Sequence, residues 1–442
     1  MNSAPSLRDP AEKSPPSSLP RVLIVNGEPA SAASGTGITL GSLFQDWPRE
    51  RLAQVYTAAV PHALTGTIDY HVPANARRNL TWLNRPSNSA QQRSPEVDHS
   101  KSAPAKRDRA ARLRAAAKLE IRRWLDLFPY ELPDEIEQQI LRFRPHLVYS
   151  CLGNIQISRL ALSLARSCNV PVIPHFMDDW ISTQYVGRPD LFVQRAQLLR
   201  VLKSIVAGSP FGLAISGVMA SEYSAMFGKP FYAFMNCVPV PAVSRISPPL
   251  HAAPRLVYVG GLHLERWRAL REIGDALATL NREGIAGTLA VYAPGADLAA
   301  FGDKLAGPGI EIGGSLCQAE VPAAIAAADV LVHVESFEPA PRKYTRLSIS
   351  TKISQYATAA RPLFCYGPPE VASLRFVHEN AFGLVAGSQE GNELKSQLRR
   401  ILEDRNLRQQ FAENALAVAR REFDADKVRQ RFESVLYSAV NL

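Results

Sequence analysis

The stretch VPVPAVSRISPPLHAAPRLVYVGG, residues 238–261, divides the chain into two halves of similar design. Its first part, 238–254, holds five prolines. Because proline fixes φ and lacks a backbone N–H donor, this part predicts an irregular connection. Its second part, RLVYVGG at 255–261, is an apolar run that ends in two glycines, as is typical of a buried strand leading into a crossover helix. A second α/β unit is therefore predicted to begin at residue 255.

Short apolar runs alternate with longer helical patterns on both sides of this stretch, which indicates parallel sheets with crossover helices. We predict an α/β protein of two doubly wound Rossmann-like domains, 21–240 and 255–423, joined by a linker at 241–254. A final helix is predicted at 424–442. The strand-like runs lie at 21–25, 53–59, 146–151, 170–176, 213–217, 255–261, 287–294, 328–334 and 361–367.

Composition places the chain among ordinary globular proteins, because 46% of its 442 residues are hydrophobic and 21% are charged. No apolar run approaches the ~20 residues of a membrane-spanning helix. Residues 1–20 are rich in Pro and Ser without an apolar segment, which predicts a flexible tail and not a secretory signal. Five scattered cysteines without a CxxC pair predict reduced, buried thiols in a cytoplasmic protein, and no structural zinc site.

The positive charge is concentrated in one segment. The net charge is +9, and nine Lys or Arg lie within 101–123 against two carboxylates. This segment overlaps a polar insertion at 84–107, and residues 106–128 are compatible with an amphipathic helix. A basic amphipathic helix with an aromatic residue suits an anionic membrane surface. The alternative is a domain helix whose apolar side packs on the sheet.

Two segments have the features of phosphate-binding helix starts. Free N–H groups at a helix N-terminus attract anions, glycine allows a ligand close to the backbone, and a lysine adds a full charge. Ordinary Ser/Thr caps and a structural turn are the alternative interpretation. The residues are Gly35, Thr36 and Gly37 after the first strand, and Ser350, Thr351 and Lys352 within RLSISTKISQYATAARPLFCYGP at 346–368.

Ionisable side chains follow a strand of the first half. The run VIPHFMDDW, 172–180, delivers His175, Asp178 and Asp179 to the edge of the sheet where ligands bind. A histidine beside carboxylates can be oriented by them or gain proton affinity. The alternative is a histidine anchored within the domain and two helix-capping aspartates.

The second half has its own charged candidates. Arg266, at the start of a helix after two glycines, could meet a pyrophosphate, or could lie on a solvated helix face. Glu335 and Glu338 leave a strand end and could accept hydrogen bonds from sugar hydroxyls. They could instead neutralise nearby cations, which are Arg342, Lys343 and Arg346.

Together these residues resemble the GT-B glycosyltransferases, particularly the large retaining group called family 4, from Arg21 onwards. The family pattern K-x-x-E-Y-x-A-x-G-x-P is matched by Lys352, Tyr356 and Pro362. Gln355 stands where the family has the Glu that holds the nucleotide ribose, and Ala360 replaces Gly. An amide still hydrogen-bonds a ribose hydroxyl, but without the strength of a charged carboxylate.

A second family pattern, G-R-L-x-x-x-K, corresponds to residues 260–266. Arg266 matches the Lys in charge, whereas Gly261 replaces the Arg. The Gly35–Gly37 turn and His175 are similar to the glycine-rich loop and active-site histidine of the family. The helix from Asp424 resembles the one that crosses back onto the first domain.

The resemblance implies a hexosyltransferase that moves a sugar from a nucleoside diphosphate sugar, with retention, to a glycan or lipid-linked acceptor. It implies no metal and no other cofactor. Arg266, Lys352 and the two helix starts are expected to stabilise the diphosphate, His175 to contact the sugar, and Glu338 to bind its hydroxyls. The expected setting is surface polysaccharide biosynthesis at the inner face of the plasma membrane.

Three other functions are compatible with parts of the sequence. The basic segment alone would suit a nucleic-acid-binding protein, but the chain has no nucleic-acid-binding module, and we expect no such partner. Gln355 and Gly261 leave open a catalytically silent GT-B protein that binds a nucleotide-sugar or a partner. A nucleotide-sugar epimerase of GT-B type keeps the fold and changes the reaction.

Overall fold

The computed structural model describes residues 18–31, 34–61, 64–73, 76, 124–240, 251 and 253–440. The predicted insertion at 84–107 lies outside the described residues, as do residues 106–123 of the basic segment. Most of the predicted tail at 1–20 and of the linker at 241–254 also lies outside them. Within the described residues, no helix has the length and apolar character that crossing a bilayer requires.

The first domain is built on a parallel sheet of seven strands in the order β3-β2-β1-β4-β5-β6-β7. The chain reverses its direction of travel across the sheet between β1 and β4, which are hydrogen-bonded neighbours. Its central strands are buried along their whole length because helices cover both faces. The strands are β1 Val22–Asn26, β2 Leu52–Tyr56, β3 Ile68–His71, β4 Leu147–Ser150, β5 Val172–Phe176, β6 Gly212–Ala214 and β7 Phe231–Ala233.

The second domain repeats this plan with six parallel strands in the order β10-β9-β8-β11-β12-β13. Its reversal lies between β8 and β11, again hydrogen-bonded neighbours. Both sheets are therefore doubly wound, as the sequence predicts. The strands are β8 Arg255–Val259, β9 Thr288–Tyr292, β10 Ile310–Gly314, β11 Val330–Val334, β12 Leu363–Tyr366 and β13 Gly383–Ala386.

The α-helices of the described residues connect and cover these strands. In the first domain they are α1 Gly35–Leu43, α2 Asp134–Phe143, α3 Ile155–Cys168, α4 Trp180–Thr183, α5 Phe192–Gly208 and α6 Gly217–Phe227. In the second they are α7 Arg266–Arg282, α8 Gly295–Leu305, α9 Val321–Ala326, α10 Pro339–Thr345, α11 Lys352–Thr358, α12 Ala372–Glu379, α13 Glu393–Glu403 and α14 Arg405–Val418. The last helix is α15 Ala425–Ser438.

The last helix crosses back onto the first domain, as predicted. Asp424 begins it, because its side chain accepts a hydrogen bond from Lys427 N. Phe432 is fully buried and packs edge-on against Phe44 and Phe234, with ring centroids 5.1 and 5.3 Å apart. The guanidinium of Arg429 donates to Ser42 O at 2.8 Å. The C-terminal end of the chain therefore fixes the second domain to the first.

All five cysteines are free thiols. Cys151, Cys237 and Cys365 are buried, as predicted, and burial raises the pKa of each. Cys168 is half-buried, and Cys317 is exposed, so the prediction of a buried thiol is wrong for Cys317.

Candidate active site between the two domains

The carboxyl ends of both sheets face one crevice between the domains. In doubly wound sheets, ligands bind where the strand order reverses, which here means the ends of β1 and β4 and the ends of β8 and β11. The domains approach closely at this place, since a Cβ at Gly35 would lie 3.5 Å from Thr351 Cγ2. The start of α1 in the first domain therefore faces the start of α11 in the second.

The crevice has a volume of about 300 Å³ and brings together most of the predicted phosphate-binding residues. From the first domain it is lined by Gly35, Thr36, Thr39, Met177, Asp178 and Ile215. From the second it is lined by Gly261, His263, Leu264, Arg266, Glu335, Tyr344, Thr345, Ser348, Ile349, Ser350, Thr351 and Lys352.

Arg266 enters the crevice from the first turn of α7. Its Nη2 donates to both oxygens of Glu335, at 3.2 and 3.1 Å, and its side chain is only 12% exposed. Burial opposes ionisation of Glu335, but the nearby guanidinium and His333 hold the pKa of that carboxyl down at about 2. Nε of Arg266 is buried without a hydrogen-bond partner. Arg266 is thus a fixed, oriented cation.

Lys352 lies beside Arg266 in the same crevice. Its Nζ is 3.3 Å from Tyr258 Oη and 4.7 Å from the centre of the Tyr258 ring. Burial, together with repulsion from Arg266, lowers the pKa of Lys352 to about 7. Glycine at position 260 leaves room for the ammonium in this position, since a Cβ there would lie 1.9 Å from Nζ. Two cations that line one crevice favour an anionic ligand.

The start of α1 is held tightly by its own loop. Ser34 caps the helix, and its Oγ accepts from Gly37 N at 3.0 Å. A Cβ at Gly37 would lie 2.4 Å from Ser31 Oγ and 2.8 Å from Ser31 O, so glycine is needed for this close approach. Gly37 therefore shapes the turn, whereas Gly35 and Thr36 line the crevice.

The two neighbouring aspartates have different surroundings. Asp178 lines the crevice, and its carboxylate accepts from Ser348 Oγ at 2.9 Å and Tyr344 Oη at 3.0 Å. Burial raises its pKa, although these hydroxyls oppose the change. Asp179 is fully buried and does not line the crevice. It accepts from Tyr223 Oη at 2.9 Å and pairs with Arg346 at 3.4 Å, so it connects the domains.

His175 lies in the core and not in the crevice. Its Nε2 lies 2.9 Å from Phe234 O and its Nδ1 lies 2.5 Å from Tyr149 Oη, so both ring nitrogens are used. Burial lowers the pKa of His175 to about 4, and the neutral ring donates through Nε2 and accepts at Nδ1. Every residue of β5 is buried, so the His175 ring is surrounded by the domain core. The structure therefore does not give His175 the expected contact with the sugar.

Two other predicted residues also do not line the crevice. Glu338 is exposed at the N-terminal end of α10, and its N–H donates to Ser336 Oγ. Gln355 is half-buried on α11, one turn beyond Lys352. The sequence alternative pairs Glu335 with Arg342, Lys343 or Arg346. In the structure, Glu335 pairs with Arg266.

Some residues of the crevice were not selected from the sequence. From the sequence, both Glu335 and Glu338 could bind sugar hydroxyls, and Glu338 is the residue expected to do so. Tyr344 and Ser348 gain their importance only because the second domain meets Asp178. Tyr258 contacts Lys352 Nζ from outside the crevice. Its sequence context is that of an ordinary core residue of β8, and the Gly-Gly pair two residues later is the available signal. Among the described residues, no group of three potential ligands could hold a metal ion.

No protein-family model matches the sequence, and no curated protein matches it. Solved structures do match. HepE (Alr3699) from Anabaena, in complex with UDP and glucose, covers 95% of this chain and 100% of its own at 14% identity, with a TM-score of 0.61. α,α-Trehalose 6-phosphate synthase from Burkholderia multivorans covers 96% and 97% at 12% identity, with a TM-score of 0.53.

Sucrose-phosphate synthase from Thermosynechococcus elongatus covers 94% of this chain and 98% of its own at 13% identity, with a TM-score of 0.55. These structures are GT-B glycosyltransferases, and at such identities the likeness concerns the fold. The predicted fold class is therefore confirmed: this chain has the GT-B fold, two doubly wound domains that face across a cleft.

Proposed function

We propose that the protein is a glycosyltransferase that moves a sugar from a nucleoside diphosphate sugar to a glycan or lipid-linked acceptor. One observation carries the proposal: Arg266 and Lys352 meet the start of α1 in one crevice at the reversal of the second sheet. Cations and helix N-termini are groups that bind a diphosphate. The likeness to HepE, whose structures contain UDP, glucose or UDP-glucose, supports a donor of this type.

The reaction requires stabilisation of a leaving diphosphate. The acceptor hydroxyl oxygen forms a bond to the anomeric carbon, and the bond from that carbon to the phosphate oxygen breaks with its electron pair on the diphosphate. The acceptor proton passes to the departing phosphate oxygen. Arg266 and Lys352 stabilise the charge that develops there, which is the largest contribution that a preorganised site makes. Retention of configuration follows from the resemblance to family 4.

Glu335 and Gln355 differ in their relation to this site. Glu335 positions Arg266 through two hydrogen bonds, and its low pKa keeps it ionised. Gln355 does not line the crevice, but it stands where family 4 has the carboxylate that binds the donor ribose, so a ribose contact here would be a neutral hydrogen bond. This exchange lowers donor affinity by about 1–2 kcal/mol, a modest part of nucleotide binding.

A catalytically silent nucleotide-sugar-binding protein is the second candidate. The absence of the ribose-binding Glu at Gln355 and of the Arg at Gly261 favours it. Such a protein would bind donor without releasing nucleoside diphosphate. An epimerase of GT-B type would convert the donor into its epimer, with no transfer and no net release of nucleoside diphosphate.

A panel of nucleoside diphosphate sugars tests the proposal. The donor is expected to raise the melting temperature of the full-length protein, and the same donor is expected to support transfer to an acceptor glycan. Lys352→Ala should raise donor KM at least tenfold or abolish turnover, whereas Lys203→Ala, at an exposed position of α5, should change neither. Binding without transfer would favour the silent protein, and no binding would contradict the proposal.

We also propose that the protein acts at the cytoplasmic face of the membrane in surface polysaccharide biosynthesis, with segment 106–128 on anionic lipid. Nine Lys or Arg between residues 101 and 123 support this. Flotation with vesicles of anionic and of zwitterionic lipid tests it. Preferential flotation with anionic vesicles that is lost at high salt is expected, and equal recovery would contradict it.

A further inference from the structure

A second cavity of about 530 Å³ adjoins the crevice on the side of the first domain. It lies at the reversal of the first sheet, where Asn26 ends β1 and Cys151 follows β4. If the proposed function is correct, a ligand here would face the donor. The two cavities share Thr36, Met177, Asp178 and Tyr344.

The two cavities differ in their cationic side chains, although carboxylates line both. Arg266 and Lys352 line the crevice, whereas the described residues that line the second cavity include no Arg, Lys or His. The charged ones among them are the carboxylates Glu28 and Asp178. Proteins hold phosphate groups with cations or helix N-termini, and carboxylates repel them. Thr36 at the start of α1 and Asn154 at the start of α3 also line the second cavity, but no cationic side chain joins them there. A phosphorylated ligand therefore suits the crevice better than the second cavity.

Two amide side chains of the second cavity have buried atoms without a hydrogen-bond partner. Asn26 is 1% exposed, and its Oδ1 is fixed by Cys151 N at 2.6 Å, while its Nδ2 has no partner. The Oε1 of Gln184 is also buried and unpartnered. Asn26 Nδ2 can donate a hydrogen bond and Gln184 Oε1 can accept one, and a hydroxyl group of a ligand can pair with either. Because unpaired buried polar groups are costly, a hydroxyl-rich ligand would be stabilised by both.

We propose that this cavity binds a neutral saccharide, whose hydroxyl is the acceptor of the transferred sugar. The acceptor is accordingly neither a sugar phosphate nor a lipid phosphate, and any phosphate of a lipid carrier lies outside the cavity. The protein extends a saccharide that an earlier glycosyl transfer has produced. Asp178 lies at the boundary of the two cavities, held by Tyr344 and Ser348, at the place where the acceptor hydroxyl approaches the donor.

The test is binding of labelled full-length protein to an array of saccharides, each present in a neutral and a monophosphorylated form. A saturating nucleoside diphosphate, chosen by thermal shift, is included. At least one neutral saccharide is expected to bind about tenfold more strongly than its phosphorylated form. Gln184→Leu should weaken this binding about tenfold, as should Asn26→Asp, which keeps the Oδ1 acceptor and removes the donor.

Gln397→Leu is the matched control. Its Oε1 is likewise buried without a partner, but it lies on α13 of the second domain and outside both cavities. Saccharide binding by Gln397→Leu should equal that of the unaltered protein. Any of three results would overturn the inference. The protein could bind only the phosphorylated saccharides, it could bind no saccharide, or it could bind neutral saccharides equally well after Gln184→Leu and Asn26→Asp. If the nucleoside diphosphate still raises the melting temperature in that case, the protein binds the donor as proposed. Only the assignment of the acceptor cavity would then be wrong.

Discussion

Donor affinity should depend on the protonation of Lys352. The pKa of this side chain is lowered to about 7 because it is buried beside Arg266. A bound diphosphate would stabilise the ammonium form and raise that pKa, so binding takes up a proton. Affinity should therefore be highest below pH 7 and decrease as the pH rises through 7.

The magnitude follows from the protonated fraction of Lys352 in the free protein. With a pKa of about 7, this fraction is roughly 0.9 at pH 6 and roughly 0.1 at pH 8. If only the ammonium form binds the diphosphate well, the association constant falls about tenfold across this range, or about 1.4 kcal/mol. Calorimetry at pH 8 in buffers of different ionisation enthalpy should show uptake of nearly one proton.

Lys352→Arg is the control, because a guanidinium stays protonated throughout this range. The nucleoside diphosphate has its own ionisation near pH ~6, which affects both proteins equally and cancels in the comparison. Lys352→Met should bind weakly at every pH. Equal pH dependence in the unaltered protein and Lys352→Arg would refute the reasoning, as would the absence of proton uptake at pH 8.

Two further predictions concern stability. Gly37→Ala should lower the melting temperature and nucleotide affinity, because its Cβ would lie 2.4 Å from Ser31 Oγ. Gly41→Ala on the same helix is the control, because an added Cβ meets nothing within 4 Å, and it should be neutral or stabilising by up to about 1 kcal/mol. Equal changes in melting temperature for Gly37→Ala and Gly41→Ala would contradict this prediction. The pKa of His175 is about 4 when folded and ~6.5 when unfolded, so the unfolded chain binds the proton first as the pH falls. The free energy of unfolding should decrease by up to about 3 kcal/mol between pH 7 and pH 4, measured in urea, and His175→Gln should lack this part of the decrease.

The central strands of both sheets follow from the sequence, because each is a mainly apolar run. The four strands that the sequence reading missed are all at sheet edges: β3, β7, β10 and β13. An edge strand is short or half-exposed, so its apolar pattern is weak. β10, for example, has only partly buried or exposed residues.

The two cations of the candidate site could be predicted from the sequence, because the carboxyl ends of parallel strands lie at the same edge of the sheet. Arg266 and Lys352 each follow a strand of the same sheet, so their meeting needs only the doubly wound topology. The contacts of Asp178 with Tyr344 and Ser348 cross between the domains, and local sequence holds no signal for them. Both faces of β5 are buried, so its sequence does not reveal that His175 contacts Tyr149 and Phe234 and not the crevice.

A crystal structure of the protein with a nucleoside diphosphate tests the central claim most directly. The phosphate oxygens are expected within ~3 Å of the Arg266 guanidinium and the Lys352 ammonium, beside the start of α1 at Gly35. A nucleotide bound elsewhere, with neither cation in contact with phosphate, would contradict the account.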